Sequence, residues 1–318
     1  MARWIIDRLL QMVVVLICAT LLGFLLVRLL KGNEVFALLG DNYTPQAAAQ
    51  LNHELGLDKP LPLQYLDWLG GAVHGDFGTS VTTHEPVAHS LFAALGPTVE
   101  LLVGAQLVAL LLTMLVTVVS VRWRWTDRLV TGFALLCSSI PPFVLGLLMI
   151  ILFASVLHLL PAIAWSWPSA GGWGKNFRGM IMPWVALGVS VFPNYMRVLR
   201  GQVYEQLDQE EYVTLARMKG LPGRRVLGRH VIPNSLSGLI TLVAVTTGFL
   251  ISGVVIVEQV FGIPGEGSLV YQAITNRDAN TLEGAIVMIA VAVVVLNLIG
   301  DLLQMRLDPR LRAQRPPQ

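Results

Sequence analysis

The sequence predicts an all-α integral membrane protein. It should have about six transmembrane helices, a helical extracytoplasmic loop after the first span, and one short cytoplasmic helix. Three observations predict this. Of 318 residues, 54% are hydrophobic and only 13% charged, where soluble domains carry about 25% charged residues. Apolar runs long enough to cross a bilayer recur along the chain. The bases gather beside alternate ends of those runs, which places both termini on the cytoplasmic side. Mean hydropathy is +0.66. The net charge of +2 carries little information, because in a membrane the placement of charge outweighs its sum.

The first span is Trp4 to Leu30. Its apolar run is too long for the core of a cleavable signal, so it is expected to be retained. Arg28 and Lys31 at its far end are read as snorkelling to the outer interface. Residues 31–96 form the extracytoplasmic loop. They hold seven acids (Glu34, Asp41, Glu54, Asp58, Asp67, Asp76 and Glu85), with Lys59 nearly the only base. Thr44-Pro45 reads as an N-cap followed by proline at the first helical position, opening a helix to about Leu55. Leu63 to Val73 reads as a second, amphipathic helix. The sequon Asn42-Tyr43-Thr44 is a pattern common by chance and is given no role.

Residues 97–306 form a five-helix transmembrane core, and 307–318 a cytoplasmic tail. Thr98 to Val121 is the second span, closed by Arg122, Arg124 and Arg128. Leu129 to Leu160 is the third, with Pro141 and Pro142 inside it. Proline removes a backbone donor and clashes with the preceding turn, so a bend is expected there. It is either a plain kink or a functional break, a hinge or a lining of the pathway. Trp165, Trp167 and Trp173 with Gly171-Gly172 suit an outer interfacial loop. Met180 to Leu199 is the fourth span, Pro233 to Val257 the fifth and Thr281 to Met305 the sixth. Pro264-Gly265 is a turn dipeptide at a membrane surface. Arg306, Arg310, Arg312 and Arg315 close the chain on the cytoplasmic side. Bases left outside are Arg28, Lys31, Lys59, Lys175, Arg178 and Arg277.

The polar island is the loop 205–233. Asp208 with Glu211 three residues on resembles a capping box, with Asp for the usual Ser or Thr. Arg217 and Lys219 suit the negative end of the helix dipole. Gly220 can take the left-handed conformation that closes a helix, and Pro222 stops it resuming. A helix of about three turns, roughly 16 Å at 1.5 Å per residue, is expected. It is too short and too charged to span a bilayer. Tyr212, Leu215, Ala216 and the stem of Lys219 share one face at i, i+3, i+4, i+7 spacing. That stripe needs a cover: either the protein's own loops or a cytoplasmic partner.

No chemistry of bond-making is visible, so no catalytic, cofactor or metal residues are assigned. Gly174-Lys175 is followed by Asn176, and Ser169 stands where a phosphate loop needs its first glycine. His53-Glu54 begins a zinc-protease pattern, but Leu57 occupies the second histidine position. The histidines form no ligand cluster at metal spacing. Cys18 and Cys137 lie in apolar runs and read as small hydrophobes. Glu100, Glu258, Glu283 and Asp301 fall near span ends, which suggests solvation at the interface. Glu258 and Glu283 are also candidates for an outer vestibule.

A family resemblance covers nearly the whole chain. Glu211-Tyr212-Val213, Ala216-Arg217-Met218-Lys219-Gly220-Leu221, Arg225-Val226, Arg229-His230 and Ile232-Pro233-Asn234 resemble the EAA loop of bacterial ABC-importer permeases. The nearest variant is the dipeptide/oligopeptide/nickel branch. Thr214-Leu215-Ala216 stands where the loop's name has Glu-Ala-Ala. His74-Gly75-Asp76-Phe77-Gly78-Thr79-Ser80 is similar to that branch's first outer loop. Glu258 to Gly267 is similar to its Glu-x-x-Phe-x-x-Pro-Gly-x-Gly segment, and Asp308-Pro309-Arg310 to its closing motif.

The resemblance implies a multi-pass protein of the bacterial inner membrane. It implies as partners a homologous second permease subunit, two ATPase domains holding ATP and Mg, an extracytoplasmic substrate-binding protein, the lipid bilayer and a short peptide cargo, with no nucleic acid. It also implies that Glu211, Tyr212, Leu215, Ala216, Arg217, Lys219 and Gly220 dock the ATPase. Tyr212 and Leu215 would be buried anchors, Arg217 and Lys219 would meet acids, and Gly220 would let the chain turn. A nickel-chelate cargo is the alternative within the family. A stand-alone channel or ion-coupled carrier is the alternative outside it.

Overall fold

The computed structural model describes residues 2–29, 39, 44–54, 56, 58–123, 126–163, 165–166 and 172–307. The sequon at 42–44, Lys31, Glu34, Asp41, Arg124, Trp167, Asp308-Pro309-Arg310, Arg312 and Arg315 lie wholly or partly outside them. The described residues are nearly all helical. Four helices are long and apolar enough to cross a membrane, at Arg8–Arg28, Val87–Arg122, Gly223–Ile251 and Ala279–Leu302. Two further candidates are helix pairs across a break, Thr126–Ser139 with Pro142–Val156 and Gly253–Phe261 with Glu266–Asn276.

The chain divides into two compact units, residues 1–99 with 263–294, and residues 100–262 with 295–318. The first holds α1 (Ala2–Leu29), α2 (Pro45–Glu54) and α3 (Leu61–Val73). The Thr44 hydroxyl caps α2 by accepting from the Ala47 amide at 3.2 Å, as the Thr-Pro pair predicts. Phe24 of α1 is buried. It meets Tyr65 edge-on at 5.6 Å and Trp68 at 6.1 Å on α3. Arg28 does not simply reach outward: its guanidinium lies over the Phe24 ring at 5.0 Å.

The second span begins at Val87 rather than Thr98, within the stretch assigned to the outer loop. α4 runs Val87–Arg122 with Pro97 inside it. Val87, Leu91 and Ala94 form a buried stripe that extends the helix backward through the Gly96-Pro97 pair. Val87 and Leu91 pack on Ala285. That residue lies in α12 (Ala279–Leu307). An unforeseen helix, α11 (Glu266–Asn276), follows the Pro264-Gly265 turn. Arg277 closes it at φ 56°, and Asp278 then caps α12. The Asp278 carboxylate accepts from the Thr281 amide at 3.2 Å and the Thr281 hydroxyl at 2.9 Å. It also accepts from the Ser80 hydroxyl.

In the second unit the Pro141-Pro142 element is sharper than a kink. α5 (Thr126–Ser139) and α6 (Pro142–Met149), which continues as π-helix Ile150–Val156, meet at 96°. Pro141 sits at the N-cap of α6 with ψ 142° and Pro142 at its first position. The two prolines therefore start a new helix and do not merely bend an old one.

The predicted fourth span lies in α7, Trp173–Gln209, which is not among the helices apolar enough to qualify as a span. It is the buried centre of its unit, with Met180, Ala186, Leu187, Phe192, Tyr195 and Leu199 inside. A helix wrapped by other helices needs close packing more than lipid-like composition, so its Trp, Asn and Gly residues and Pro183 and Pro193 are accommodated. Gly188 lies against α4, where a Cβ would sit 2.7 Å from the Ala105 carbonyl oxygen. Trp184 covers Gly104, its indole N–H donating to the Glu100 carbonyl at 3.1 Å. A polar chain crosses this core. Tyr195 donates to Gln106 at 2.8 Å, and Gln106 donates to Thr247 at 2.8 Å.

Candidate functional site

The polar island folds into a short helix held by its own neighbours. α7 continues through Asp208 to Gln209, so Asp208 is not the cap the sequence suggested. Glu210 turns extended at φ −89° and ψ 121°, and α8 covers only Glu211–Met218. Glu210 makes no side-chain cap bond. The expected three turns are therefore about two. The C-terminal end follows expectation. The Gly220 amide donates to Arg217 at 2.9 Å and the Leu221 amide to Ala216 at 3.3 Å. Gly220 has φ 75°. These paired bonds form a Schellman closure, which satisfies carbonyls the helix end would otherwise leave open.

The stripe of α8 also differs from the sequence expectation. Val213 and Ala216 face inward, whereas Leu215 is 56% and Met218 78% exposed. Tyr212 is half-buried, and its hydroxyl is spent inside the chain. It donates to the Gln206 side-chain oxygen, accepts from Asn234 at 3.1 Å and lies 3.3 Å from the His230 carbonyl. Asn234 also donates to His230 at 2.8 Å. These bonds tie α8 to the end of α7 and the start of the next long helix. That helix begins at α9 (Gly223–Val226), passes through π-helical Leu227–Val231 and continues as α10 (Ile232–Phe261).

The outward side of α8 carries Glu211, Leu215 and Met218, with exposed Arg217, Lys219, Arg224, Arg225 and Arg229 about it. Met218 was missed. The i, i+4, i+7 spacing of 211, 215 and 218 was the available signal, but the choice of Tyr212 and Ala216 as one stripe obscured it.

Replacing Tyr212 with phenylalanine removes the shared hydroxyl and leaves Gln206 and Asn234 short of a partner. The local stability of α8 should fall by about 1–2 kcal/mol, at about 1 kcal/mol per net hydrogen bond. Amide exchange within 211–218 should speed up roughly tenfold, with the global thermal transition unmoved. Unchanged exchange would show that the hydroxyl does not brace the helix.

The carboxylates are a correction. Glu258 in α10 is 0% exposed and Glu283 in α12 is 2% exposed. Neither is solvated at an interface. Both are buried, which a position near the end of an apolar run does not reveal. Phe261, from the Phe-x-x-Pro-Gly segment, packs against α6, where a Cβ on Gly146 would meet its ring at 2.8 Å. The second unit also holds an apolar cavity of 450 Å³ lined by Leu110, Met114, Ile240, Val243, Thr247 and Leu296, among others.

Comparison with known proteins agrees with this architecture. The family described as "Binding-protein-dependent transport system inner membrane component" matches residues 101–313, and its N-terminal counterpart matches residues 1–113. A probable peptide ABC transporter permease protein of Sinorhizobium fredii is 33% identical over 98% of this chain and 100% of its own. A putative peptide transport system permease protein of Brucella abortus is 32% identical over 98% and 99%. The glutathione transport system permease protein GsiC of Escherichia coli is 30% identical over 98% and 99%. Among solved structures, a chain of the MetNI methionine ABC transporter, in inward-facing conformations, matches with a TM-score of 0.56 at 15% identity. It covers 69% of this chain and 96% of its own, a likeness of fold alone. With family matches reaching from residue 1 to residue 313 and relatives aligned end to end, the chain belongs to the binding-protein-dependent transport inner-membrane components, in their dipeptide/oligopeptide permease branch.

Proposed function

We propose that this chain is the membrane-spanning subunit through which short peptides, delivered by an extracytoplasmic binding protein, cross the bacterial inner membrane. It works beside a homologous permease subunit and is driven by two ATPase domains that bind ATP and Mg. Both termini face the cytoplasm. The observation that carries the reading is the build of α8: apolar tips at Leu215 and Met218 face outward, with bases around them, while Val213, Ala216 and Tyr212 lock the helix from within. An exposed apolar pair on a braced helix suits a docking knob. Force applied there passes through Tyr212 into the end of α7 and the start of α10, which biases a two-state arrangement of spans. Peptide cargo is favoured by the relatives, since two are named as peptide permeases and one as a permease for glutathione, itself a small peptide.

Cross-linking tests the docking role. With Cys18 and Cys137 replaced by serine, Met218→Cys in the assembled complex should cross-link to an ATPase subunit with a short bifunctional thiol reagent. Yield should change on adding ATP. Labelling of Met218→Cys by an impermeant reagent added only from the extracytoplasmic side would refute the orientation and the docking role together.

A further inference from the structure

A basic cleft of 760 Å³ opens in the second unit where the broken span ends. The π-helical Ile150–Val156 finishes in a tight wrap. The Leu157 amide reaches the Leu152 carbonyl at 2.9 Å, and the Leu159 and Leu160 amides both reach Phe153, at 2.8 and 3.2 Å. His158 at the centre of the wrap has φ 52°, a conformation uncommon for a non-glycine residue. The turn lays Leu159–Ala162 beside the first turns of α7. Arg178 fastens the two, its guanidinium donating to the Leu159 carbonyl at 3.0 Å. His158, Lys175 and Arg178 thereby line one cleft, together with Ser155 and Gly174.

The charge in this region is one-sided. No acid occurs in the sequence between Asp127 and Glu205. Glu100, on α4, accepts from the buried Asn176 at 3.3 Å. The first amides of α7 add partial positive charge beside Lys175. Leu159 in the lining and its neighbours along the chain, Val156, Leu157, Ile163, Trp173 and Phe177, are all exposed apolar residues. A basic hollow with an apolar rim at the end of a membrane-spanning element matches a ligand that is anionic at one end and greasy at the other.

We infer that this cleft holds the headgroup phosphate of an anionic phospholipid. Lys175, Arg178 and the His158 ring meet the phosphate, and Leu159, Trp173 and Phe177 meet the acyl chains. Arg178 is suited to the task because a guanidinium offers several donors, of which the Leu159 carbonyl uses one. A small inorganic anion would satisfy the bases but leave the rim uncovered, so the lipid is the better fit.

The full-length chain, purified in mild detergent, can be titrated with dioleoyl phosphatidylglycerol or dioleoyl phosphatidylcholine and read by native mass spectrometry. The wild type should retain phosphatidylglycerol and hold phosphatidylcholine much less. Lys175→Gln should weaken phosphatidylglycerol binding about fivefold, the usual worth of one base near an anionic surface. Lys175→Gln with Arg178→Gln should weaken it about 25-fold on the same scale. Arg122→Gln with Arg128→Gln, equal in charge but distant in sequence, should change nothing. Arg178→Gln also removes the bond to Leu159, so Lys175→Gln alone carries the test if the double variant misfolds. Equal retention of the two lipids by the wild type would overturn the proposal, as would undiminished phosphatidylglycerol binding in Lys175→Gln. Displacement of the lipid by equimolar inorganic phosphate would make the cleft a simple anion site and overturn it too.

Discussion

Substituting valine for Gly188 should separate α4 from α7 and lower the thermal transition of the detergent-purified chain. A Cβ at this position would sit 2.7 Å from the Ala105 carbonyl oxygen and 2.9 Å from both Cβ and Cγ1 of Val108. The nearest atom is backbone, which cannot rotate aside, so the helices themselves must move apart. Beside this contact Trp184 lies over Gly104, and its bond to the Glu100 carbonyl fixes the same helix pair. In a bilayer no aqueous hydrophobic effect pulls the helices back together. Close packing of small residues is what holds them. Overpacking costs about 1–3 kcal/mol and occasionally more. Valine against backbone should lie at the upper end. Gly253→Ala is the matched control, because its Cβ would meet only Leu187, at an ordinary 3.9 Å. A Gly188→Val chain as heat-stable as Gly253→Ala would mean that α4 and α7 do not depend on this approach.

The contrast between those two glycines shows what was legible and what was not. Local punctuation could be read directly. Thr44-Pro45 opens α2 and Gly220 closes α8, because each depends on the conformational limits of one or two residues. Gly188 and Gly104 matter only because of what lies opposite them, and no residue in their own helix names that partner. Burial of Glu258 and Glu283 was hidden for the same reason. A carboxylate near the end of an apolar run is solvated or covered according to the neighbouring helices. Proline misled in two places. Pro97 lies within a continuous helix although the span was expected to start at Thr98, and Pro141-Pro142 divides two helices at 96° where a bend in one was expected. Pro183 and Pro193 lie inside α7, within the span expected there. In α7 surrounding helices hold the backbone in place. Pro141, with ψ 142°, is itself held out of the helical region by the Pro142 that follows it. The loop 205–233 stands out by composition, as a charged interruption between apolar spans. Its inner and outer faces do not, because eight residues bearing Tyr212, Val213, Leu215, Ala216 and Met218 admit more than one apolar stripe.

Placing aspartate at both Leu215 and Met218 should abolish transport while leaving the chain folded. Both side chains point to solvent, at 56% and 78% exposure, so neither change removes a core contact. The Val213–Ala216 face, the Tyr212 hydroxyl and the Gly220 closure that hold α8 all remain. The loss would fall on the proposed docking surface alone. Two apolar tips entering a partner groove have the character of interface hot spots, each worth about 2 kcal/mol or more. Burying a carboxylate there adds a desolvation penalty. Association with the ATPase subunits should weaken at least about 30-fold per position at that value. In proteoliposomes, hydrolysis stimulated by the binding protein and peptide uptake should disappear together. The thermal transition of the isolated subunit should match wild type. Val213→Asp serves as the opposite control, since it charges a fully buried site and should unfold α8 itself. Wild-type uptake and stimulated hydrolysis in the doubly charged variant would show that force enters this subunit elsewhere.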